Sequence, residues 1–546
     1  MARSSGVQFR MTCLSLAIRL AKALVYSRIN VLLSPSVQAT ITPIISPSAA
    51  ATPNKSYGRI LKSSALIGGS TAVNMLFGIM RTKAMALLLG PSGVGLLGIY
   101  GSISELARSV AGLGINNSGV RQIAESIASG ETERIATTVI TLRRVALYSG
   151  IVGALLLIAL SKRVSWVTFR DYEHVASIAL LAFVALLLDI SDAQRALVQG
   201  MRRISDLARM NILGAFYAAI FSIAIVYLWR ERGIVPSLIC VAAMSVVTSW
   251  WYARKVKVER IRITWPRAFA EASELLKFGV VVMTNVLATL SAAYIVRLFL
   301  LRTMGLKAAG LYQAAWALAG ICINFILDAM GTDFYPRLTA VANDKRQCNT
   351  LVNEQIEIGF LMAGPAMLGA LSFAPLAIIV FYSAKFGEAV PLLRWFCLGM
   401  FMRVLTWPIG FIFLARAERK LFFWTGVLFN AGYVALVWFG IRMFGLSGVG
   451  IAFFVLQVLH SMIIYRISHL VTGFSWSDPN RRLGFILFPL LALVFGVWYL
   501  VPPVHAAIIG TAIALPAGYY SVRTLCRLIP LNHLPREIVL EQDNVE

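Results

Sequence analysis

The feature that most limits how this chain can fold is a series of apolar runs, each about long enough to cross a lipid bilayer. Hydrophobic residues make up 58% of the 546 residues and charged residues only 14%, whereas a soluble domain has about 25% charged residues. The runs include Val145–Leu160, Leu207–Leu228, Leu275–Phe299, Leu311–Met330 and Phe485–Val501. Because lipid offers the backbone no hydrogen bonds, we predict an all-α polytopic membrane protein of about fourteen spans.

The charge of the chain is strongly basic, and its distribution predicts the membrane topology. The chain has 50 Lys and Arg against 25 Asp and Glu. The basic residues are concentrated in alternate connections between spans, such as ARKVKVERIRITWPR at 253–267 and ARAERK at 415–420. The positive-inside rule then places both termini in the cytoplasm. We expect the excess charge to contact anionic membrane lipids, not nucleic acid.

No cofactor or metal site is expected. The segment 90–101 reads GPSGVGLLGIYG and contains a formal G-x-G-x-x-G pattern, but that pattern indicates dinucleotide binding only after a strand in a βαβ unit. Here it joins two apolar spans, and no GK dipeptide of a phosphate loop occurs. The six cysteines are scattered, without the spacing of a zinc site or a disulfide framework.

An internal repeat gives those glycines a structural purpose. Shifting the chain by 215 positions aligns Gly90 with Gly305 and Gly95 with Gly310, and ILK at 60–62 with LLK at 275–277. Each half then holds six spans, which predicts two pseudo-symmetric six-helix lobes around a central cavity, related by an axis along the membrane normal. The glycines permit a tight turn and close helix approach at the outer surface.

The repeat predicts four regions. Residues 1–57 are basic and free of acidic residues, which fits a disordered cytoplasmic tail, a misassigned start codon or a targeting peptide. Residues 58–270 form the first lobe and 271–470 the second. Residues 471–546 supply about two further helices and a cytoplasmic tail.

Six motifs, in order along most of the chain, resemble one family. They are LLGPSGVGLLGIY (88–100), LVQGMRRIS (197–205), AGLYQAAWAL (309–318), DFYPRLTAVANDKR (333–346), FYSAKF (381–386) and ARAERKLFF (415–423). Together they resemble bacterial O-antigen and polysaccharide-repeat translocases of the Wzx type, within the multidrug/oligosaccharidyl-lipid/polysaccharide exporter superfamily. Two helices beyond the usual twelve also occur in flippases of cell-wall precursor lipids in this superfamily.

The resemblance implies a function at the bacterial inner membrane. A member of this family is expected to move an undecaprenyl-diphosphate-linked oligosaccharide from the cytoplasmic to the periplasmic leaflet by alternating access. It is a transporter and not an enzyme, it uses no cofactor, and it is expected to meet the polysaccharide polymerase machinery. A drug antiporter on the same scaffold is the alternative, although intramembrane arginines favour an anionic cargo. A polymerase or ligase would need a long outward loop, which the sequence lacks.

Charged residues inside apolar spans are the candidate site residues, because burying an unpaired charge is costly. A diphosphate requires cations, and arginine suits it through planar, paired donors. The predicted substrate-binding residues are Arg81, Arg108, Arg297, Arg394 and Arg403. For Arg81 and Arg297, which occupy nearly equivalent repeat positions, the alternative is that they reach out to headgroups.

Two acidic residues are predicted to couple transport to an ion or proton gradient. Glu105 lies three residues before Arg108, on the same helix face, and Asp328 lies deep in the eighth span. For Glu105 the alternative is an internal salt bridge that only eases membrane insertion. Asp189 and Asp192 are expected instead to flank the membrane exit and pair with the basic loop after them.

Overall fold

The chain satisfies its backbone hydrogen bonds with helices in all the parts that the structure describes. A computed structural model describes residues 53–112, 114–256, 265–416 and 418–528, and those ranges contain no β-strand. The helices are α1 Pro53–Gly112, α2 Ile115–Ser129, α3 Thr132–Phe169, α4 Val175–Gly200, α5 Ile204–Trp229, α6 Ile234–Ala253, α7 Trp265–Ala340, α8 Lys345–Ser372, α9 Ala374–Phe381, α10 Val390–Ala415, α11 Arg419–Phe444, α12 Ser447–Thr472, α13 Asp478–Leu500 and α14 Pro503–Leu528. The predicted all-α fold is confirmed.

Ten helical stretches in the described ranges are long and apolar enough to cross a membrane. Three of them, Gly69–Gly112, Ile204–Ala253 and Met283–Ile321, have 44, 50 and 39 residues. A straight helix of about 40 residues would be about 60 Å long, twice the ~30 Å thickness of the hydrocarbon core. Each stretch is broken, at Gly90, at a 3-10 turn or at Gly305, so each is long enough for two crossings. The number of fourteen spans stays a prediction.

The repeat seen in the sequence is reproduced in the backbone at its two kinks. Gly90 has φ 66° and ψ −173°, and Gly305, 215 positions later, has φ 83° and ψ 179°. This conformation is accessible almost only to glycine. The two halves therefore break their first long helix at the same residue type and in the same conformation.

Immediately after the kinks, α1 and α7 cross with their backbones in contact. A Cβ atom added to Gly95 would overlap the carbonyl oxygen of Leu306, and one added to Gly310 would overlap that of Pro91. The repeat aligns Gly95 with Gly310 and Pro91 with Leu306, so the two contacts are related by the same local two-fold axis. We call this contact the glycine crossing. It holds the two halves together at the kink end of the bundle.

Helices α1–α6 form the first lobe and α7–α12 the second. In the first lobe α4 packs against α3 and α6, and α2 packs on α3 and α4; in the second, α12 packs against α10 and α11. The two-lobe fold is confirmed. The predicted tail at 1–57 and boundary at 270/271 fall largely on residues whose placement or side chains are not described, and the four-region division stays a prediction.

The last two helices extend the second lobe. Leu483, Leu487, Leu491 and Val494 of α13 belong to the same apolar core as α8 and α10. Helix α14 packs along α8, so the pair forms part of one packed body with the second lobe.

Candidate functional site

A cavity of about 370 Å³ lies between the lobes. The first lobe contributes its polar wall from α1, α2 and α4, and the second lobe contributes Met283, Val286 and Leu290 of α7. Five ionisable residues line it, and we call them the charged cluster: Glu105, Arg108, Asp189, Asp192 and Arg195. Glu105 follows the Gly90 kink by 15 residues, which is about 22 Å along a helix, and it lies in the apolar stretch Gly69–Gly112.

Arg108 is the centre of the charged cluster. Its Nη2 donates to Glu105 Oε2 at 2.7 Å and its Nη1 donates to Asp192 Oδ2 at 2.6 Å. Glu105 is one turn away on the same helix, whereas Asp192 reaches across from α4. Bonds between ionised partners are short and strong. Both carboxylates thus share one guanidinium, which holds α1 against α4.

Asp189 lies one turn before Asp192 on α4 and differs from it in having no such bond. Its residue is only 2% exposed, and its Oδ2 has no hydrogen-bond partner within the described ranges. A Cβ added to Gly112 would lie 3.2 Å from Asp189 Oδ1, and one added to Gly150 would lie 3.8 Å from Oδ2. Two glycines therefore leave room for a buried carboxyl group.

Both aspartates line the cavity between the lobes. Asp192 is bonded to Arg108 of α1, a partner outside the basic loop that follows α4. Arg195 of the cluster bonds the amide oxygen of Asn211. The signal that could have revealed this face is the spacing of Asp189, Asp192 and Arg195, which repeats every three residues in an apolar helix.

Arg297 of the second lobe is held by a neutral partner. Its Nε and Nη2 donate to Gln313 Oε1 at 3.2 and 2.8 Å, and its Nη1 donates to the carbonyl of Ala293 at 2.9 Å. The Gln313 side chain lies against Gly98 of the first lobe, where an added Cβ would be 3.1 Å from Oε1. Gln313 and Gly98 each lie one turn after a glycine of the crossing, so Arg297 is held by a residue at the contact between the lobes. No sequence pattern singled out Gln313.

Arg81, Arg297 and Arg403 are not among the residues that line the cavity between the lobes. Arg81 is half-buried, and its Nε has no hydrogen-bond partner in the described part of the chain. Arg403 is half-buried beside His460, which packs on Phe429 with ring centroids 4.6 Å apart. The side chain of Asp328 lies outside the described residues.

Arg394 does not line the cavity. It is 0% exposed, its Nη2 donates to the carbonyls of Val494 and Phe495 at 2.9 and 2.8 Å, and its guanidinium lies 4.8 Å from the centroid of the Trp498 ring. All three partners belong to α13. The geometry gives Arg394 a packing role that attaches α13 to the second lobe, so we leave it out of the substrate site.

No group of three or more potential metal ligands occurs among the described residues. A second cavity, of about 600 Å³, is lined at the start of α8 by Lys345, Arg346, Asn353 and Glu354 among others. It shares no lining residue with the cavity between the lobes.

Comparison with known proteins identifies relatives among flippases and transporters. The chain is 21% identical over 367 residues to the lipid III flippase of Escherichia coli (strain K12), covering 66% of this chain and 87% of that protein. It is 22% identical over 405 residues to a putative O-antigen transporter of Shigella flexneri, covering 72% of this chain and 94% of that protein.

Two solved structures share the fold. An inward-facing multidrug resistance MATE family transporter of the MOP superfamily has a TM-score of 0.64 at 15% identity, covering 73% of this chain and 94% of its own. The lipid II flippase MurJ, in an inward closed conformation, has a TM-score of 0.61 at 12% identity, covering 85% and 99%. The model of a family described as polysaccharide biosynthesis protein matches residues 84–391, which is more than half of the chain. The chain belongs to this polysaccharide biosynthesis protein family.

Proposed function

We propose that this protein is a flippase for a lipid-linked oligosaccharide. Its cargo is an undecaprenyl-diphosphate-linked repeat unit of O-antigen or exopolysaccharide, moved from the cytoplasmic to the periplasmic leaflet of the bacterial inner membrane. The observation that carries the proposal is a charged cavity at membrane depth, bounded by both lobes. The family, the flippase relatives and the two-lobe fold support it.

Arginines within the apolar helices address the main energetic difficulty of such a transport step. A diphosphate moved through hydrocarbon without partners would cost many kcal/mol, because its charge would lose its hydration. Arginines at membrane depth lower that cost, while the polyprenyl tail stays in lipid. Arg81, Arg297 and Arg403 are the proposed phosphate-binding residues.

Arg297 is the strongest of these. Its donors are occupied by the neutral oxygen of Gln313, and a phosphate oxygen binds a guanidinium more strongly than an amide oxygen does. Arg108, by contrast, is already shared by two carboxylates. A diphosphate would have to displace a charged partner at Arg108. We therefore assign Arg108 to the coupling machinery and not to the phosphate-binding site.

The glycine crossing supplies the gate of an alternating-access cycle. With both termini in the cytoplasm, as the basic loops predict, the kink end faces the periplasm. The lobes are in backbone contact at that end, so we propose that this conformation is closed to the periplasm. Opening requires α1 and α7 to separate at Gly95 and Gly310.

Leaflet exchange in vesicles tests the function directly. The purified protein is reconstituted with fluorescent undecaprenyl-diphosphate oligosaccharide, and a membrane-impermeant glycosidase reports which lipids face outward. The expected result is cleavage of the inner-leaflet pool in protein-containing vesicles, with little cleavage in protein-free vesicles or with Arg297→Ala. Arg442→Ala, an exposed arginine at the end of α11, is the matched control and should flip normally. Equal cleavage with and without protein would refute the proposal.

A drug antiporter on the same fold is the second candidate. The acidic residues Glu105, Asp189 and Asp192 in the cavity and the likeness to a MATE family transporter favour it. Cationic drugs would be held by those carboxylates. Raised resistance to cationic drugs on overexpression, lost in Asp192→Asn, would support this candidate over the flippase. Contact with the polysaccharide polymerase machinery belongs to the flippase proposal alone.

A further inference from the structure

The buried carboxyl group of Asp189 is the one member of the charged cluster whose geometry sets it apart. Glu105 and Asp192 are bonded to Arg108, and Arg195 bonds Asn211. Asp189 is 2% exposed and its Oδ2 has no hydrogen-bond partner within the described ranges. An isolated carboxylate in such a place would be costly, whereas the protonated acid is neutral and keeps its carbonyl oxygen as an acceptor.

The packing around Asp189 leaves space beside both carboxyl oxygens. Gly112 of α1 faces Oδ1, and Gly150 of α3 faces Cβ and Oδ2. The charges that act on Asp189 come from Asp192 on its own helix and from Arg108 and Glu105 on α1. Helix α2 contributes the uncharged Asn116 to the same cavity, and α7 contributes apolar side chains.

Loss of a proton from Asp189 would act on the bonds that join α1 to α4. Asp189 and Asp192 are one turn apart on the same helix, so a charged Asp189 repels Asp192 and attracts Arg108. The Asp189 carboxylate then competes with Asp192 for Arg108. The position of the α1 segment that ends in Gly112 therefore depends on whether Asp189 is protonated. The opposite wall of the cavity belongs to the second lobe, so movement of α1 changes the space between the lobes.

We propose that Asp189 is the proton-binding site that couples transport to a pH gradient, with Glu105, Arg108 and Asp192 as a fixed ion-pair frame beside it. The proposal rests on the proposed transport function and names its driving ion. In each cycle the Asp189 carboxyl group takes one proton from water on one side of the membrane and releases it to water on the other, with no covalent change elsewhere.

Two measurements test the proton site without assuming a substrate. The infrared carbonyl band of a protonated carboxylic acid should be present in wild-type protein near neutral pH, absent in Asp189→Asn, and retained in Asp192→Asn. A dye in weakly buffered detergent solution should record less proton release by Asp189→Asn than by wild type when the pH is raised. Glu173→Gln removes an exposed acid just before α4 and should match wild type. An unchanged infrared band in Asp189→Asn would overturn the proposal.

A third measurement joins the site to transport. In the vesicle assay, wild-type flipping should rise with an imposed pH gradient, whereas Asp189→Asn should flip at the rate that wild type shows without a gradient. Asp189→Glu should restore part of the gradient dependence, which a merely structural role would not predict. Full gradient dependence in a folded Asp189→Asn would refute the assignment. Absence of flipping by wild type would refute the flippase function and leave the infrared result to decide the proton site.

Discussion

The two lobes use the same backbone design and carry different chemistry. Both break their first long helix at a glycine with positive φ, and both place a second glycine at the crossing. Beyond these shared points, the first lobe carries three carboxylates and two arginines in one cluster, while the second carries Arg297 on a neutral amide and Arg403 beside a histidine. Under the proposed function, the repeat preserves the glycine crossing in both halves, while ion coupling belongs to the first lobe and Arg297, the strongest phosphate-binding candidate, belongs to the second.

The lobes also differ in how much of each helix is enclosed by protein. In the second lobe, 56% of the apolar window of α8 and 61% of that containing α10 are buried. In the first lobe, the corresponding values are 28% for α3 and 39% for α4. The extra helices α13 and α14 account for part of this difference, because they cover α8. The second lobe is thus more enclosed at this helix pair, whereas the first is more enclosed at its opening helix, with 44% for α1 against 17% for α7.

The largest expected effect comes from breaking the symmetry of the glycine crossing. Gly310→Val places a branched side chain on the Pro91 carbonyl, so the lobes should no longer close at the kink end and flipping should be lost. Gly101→Val is the control, because an added Cβ there meets nothing within 4 Å. Labelling of Gly98→Cys by an impermeant maleimide, in a background without native cysteines, should increase in Gly310→Val. Normal flipping and normal labelling would show that the crossing is not a gate.

The second prediction concerns phosphate binding in the second lobe. Arg297→Ala removes a charged donor fork, and hydrogen bonds to charged groups contribute about 1.5–3 kcal/mol, so substrate affinity should fall by about tenfold to a hundredfold. Arg297→Lys keeps the charge and loses the paired donors, so its substrate affinity should lie between those of wild type and Arg297→Ala. Binding of the diphosphate lipid to protein in nanodiscs measures this. If both the Lys and the Ala variant bind the lipid as well as wild type does, Arg297 is not a phosphate-binding residue.

The third prediction separates packing from transport at Arg394. Arg394→Met removes both Nη2 hydrogen bonds to α13 carbonyls, and a hydrogen bond to a charged group contributes about 1.5–3 kcal/mol. The thermal unfolding midpoint should fall, while flipping per folded molecule at low temperature should stay near wild type. A variant of unchanged midpoint that binds substrate poorly would instead return Arg394 to the substrate site predicted from the sequence.

The smallest effect is expected at Glu105. Its side chain is 45% exposed, and ion pairs of this exposure contribute about 0–1 kcal/mol. Glu105→Gln should therefore change the unfolding midpoint little and leave the dependence of flipping on a pH gradient intact. Loss of that dependence would assign the proton to Glu105, as the sequence analysis predicted, and would contradict the division between the frame and Asp189.

Sequence reasoning identified the scaffold more completely than the site. The offset of 215 located both kinks, because a repeated glycine marks a repeated backbone conformation. It also selected Glu105 and Arg108 as one face of a helix, and the structure brings them together. It did not find the Asp192 bond to Arg108 or the Gln313 bond to Arg297, because those contacts join residues 84 and 16 positions apart on packed helices.

The sequence by itself determined that the chain is a membrane-embedded helical protein with two matched halves, and which charged residues lie within apolar runs. Apolar length and repeated glycines are local properties, so they can be read directly. Only the tertiary structure decided that Arg394 packs against α13, that Arg297 sits at the meeting of the lobes and that Asp189 is buried without a hydrogen bond at Oδ2. In a membrane, both the lipid-facing and the protein-facing sides of a helix are apolar. Hydropathy therefore fixes the depth of a residue, while the direction of its side chain depends on how the helices pack.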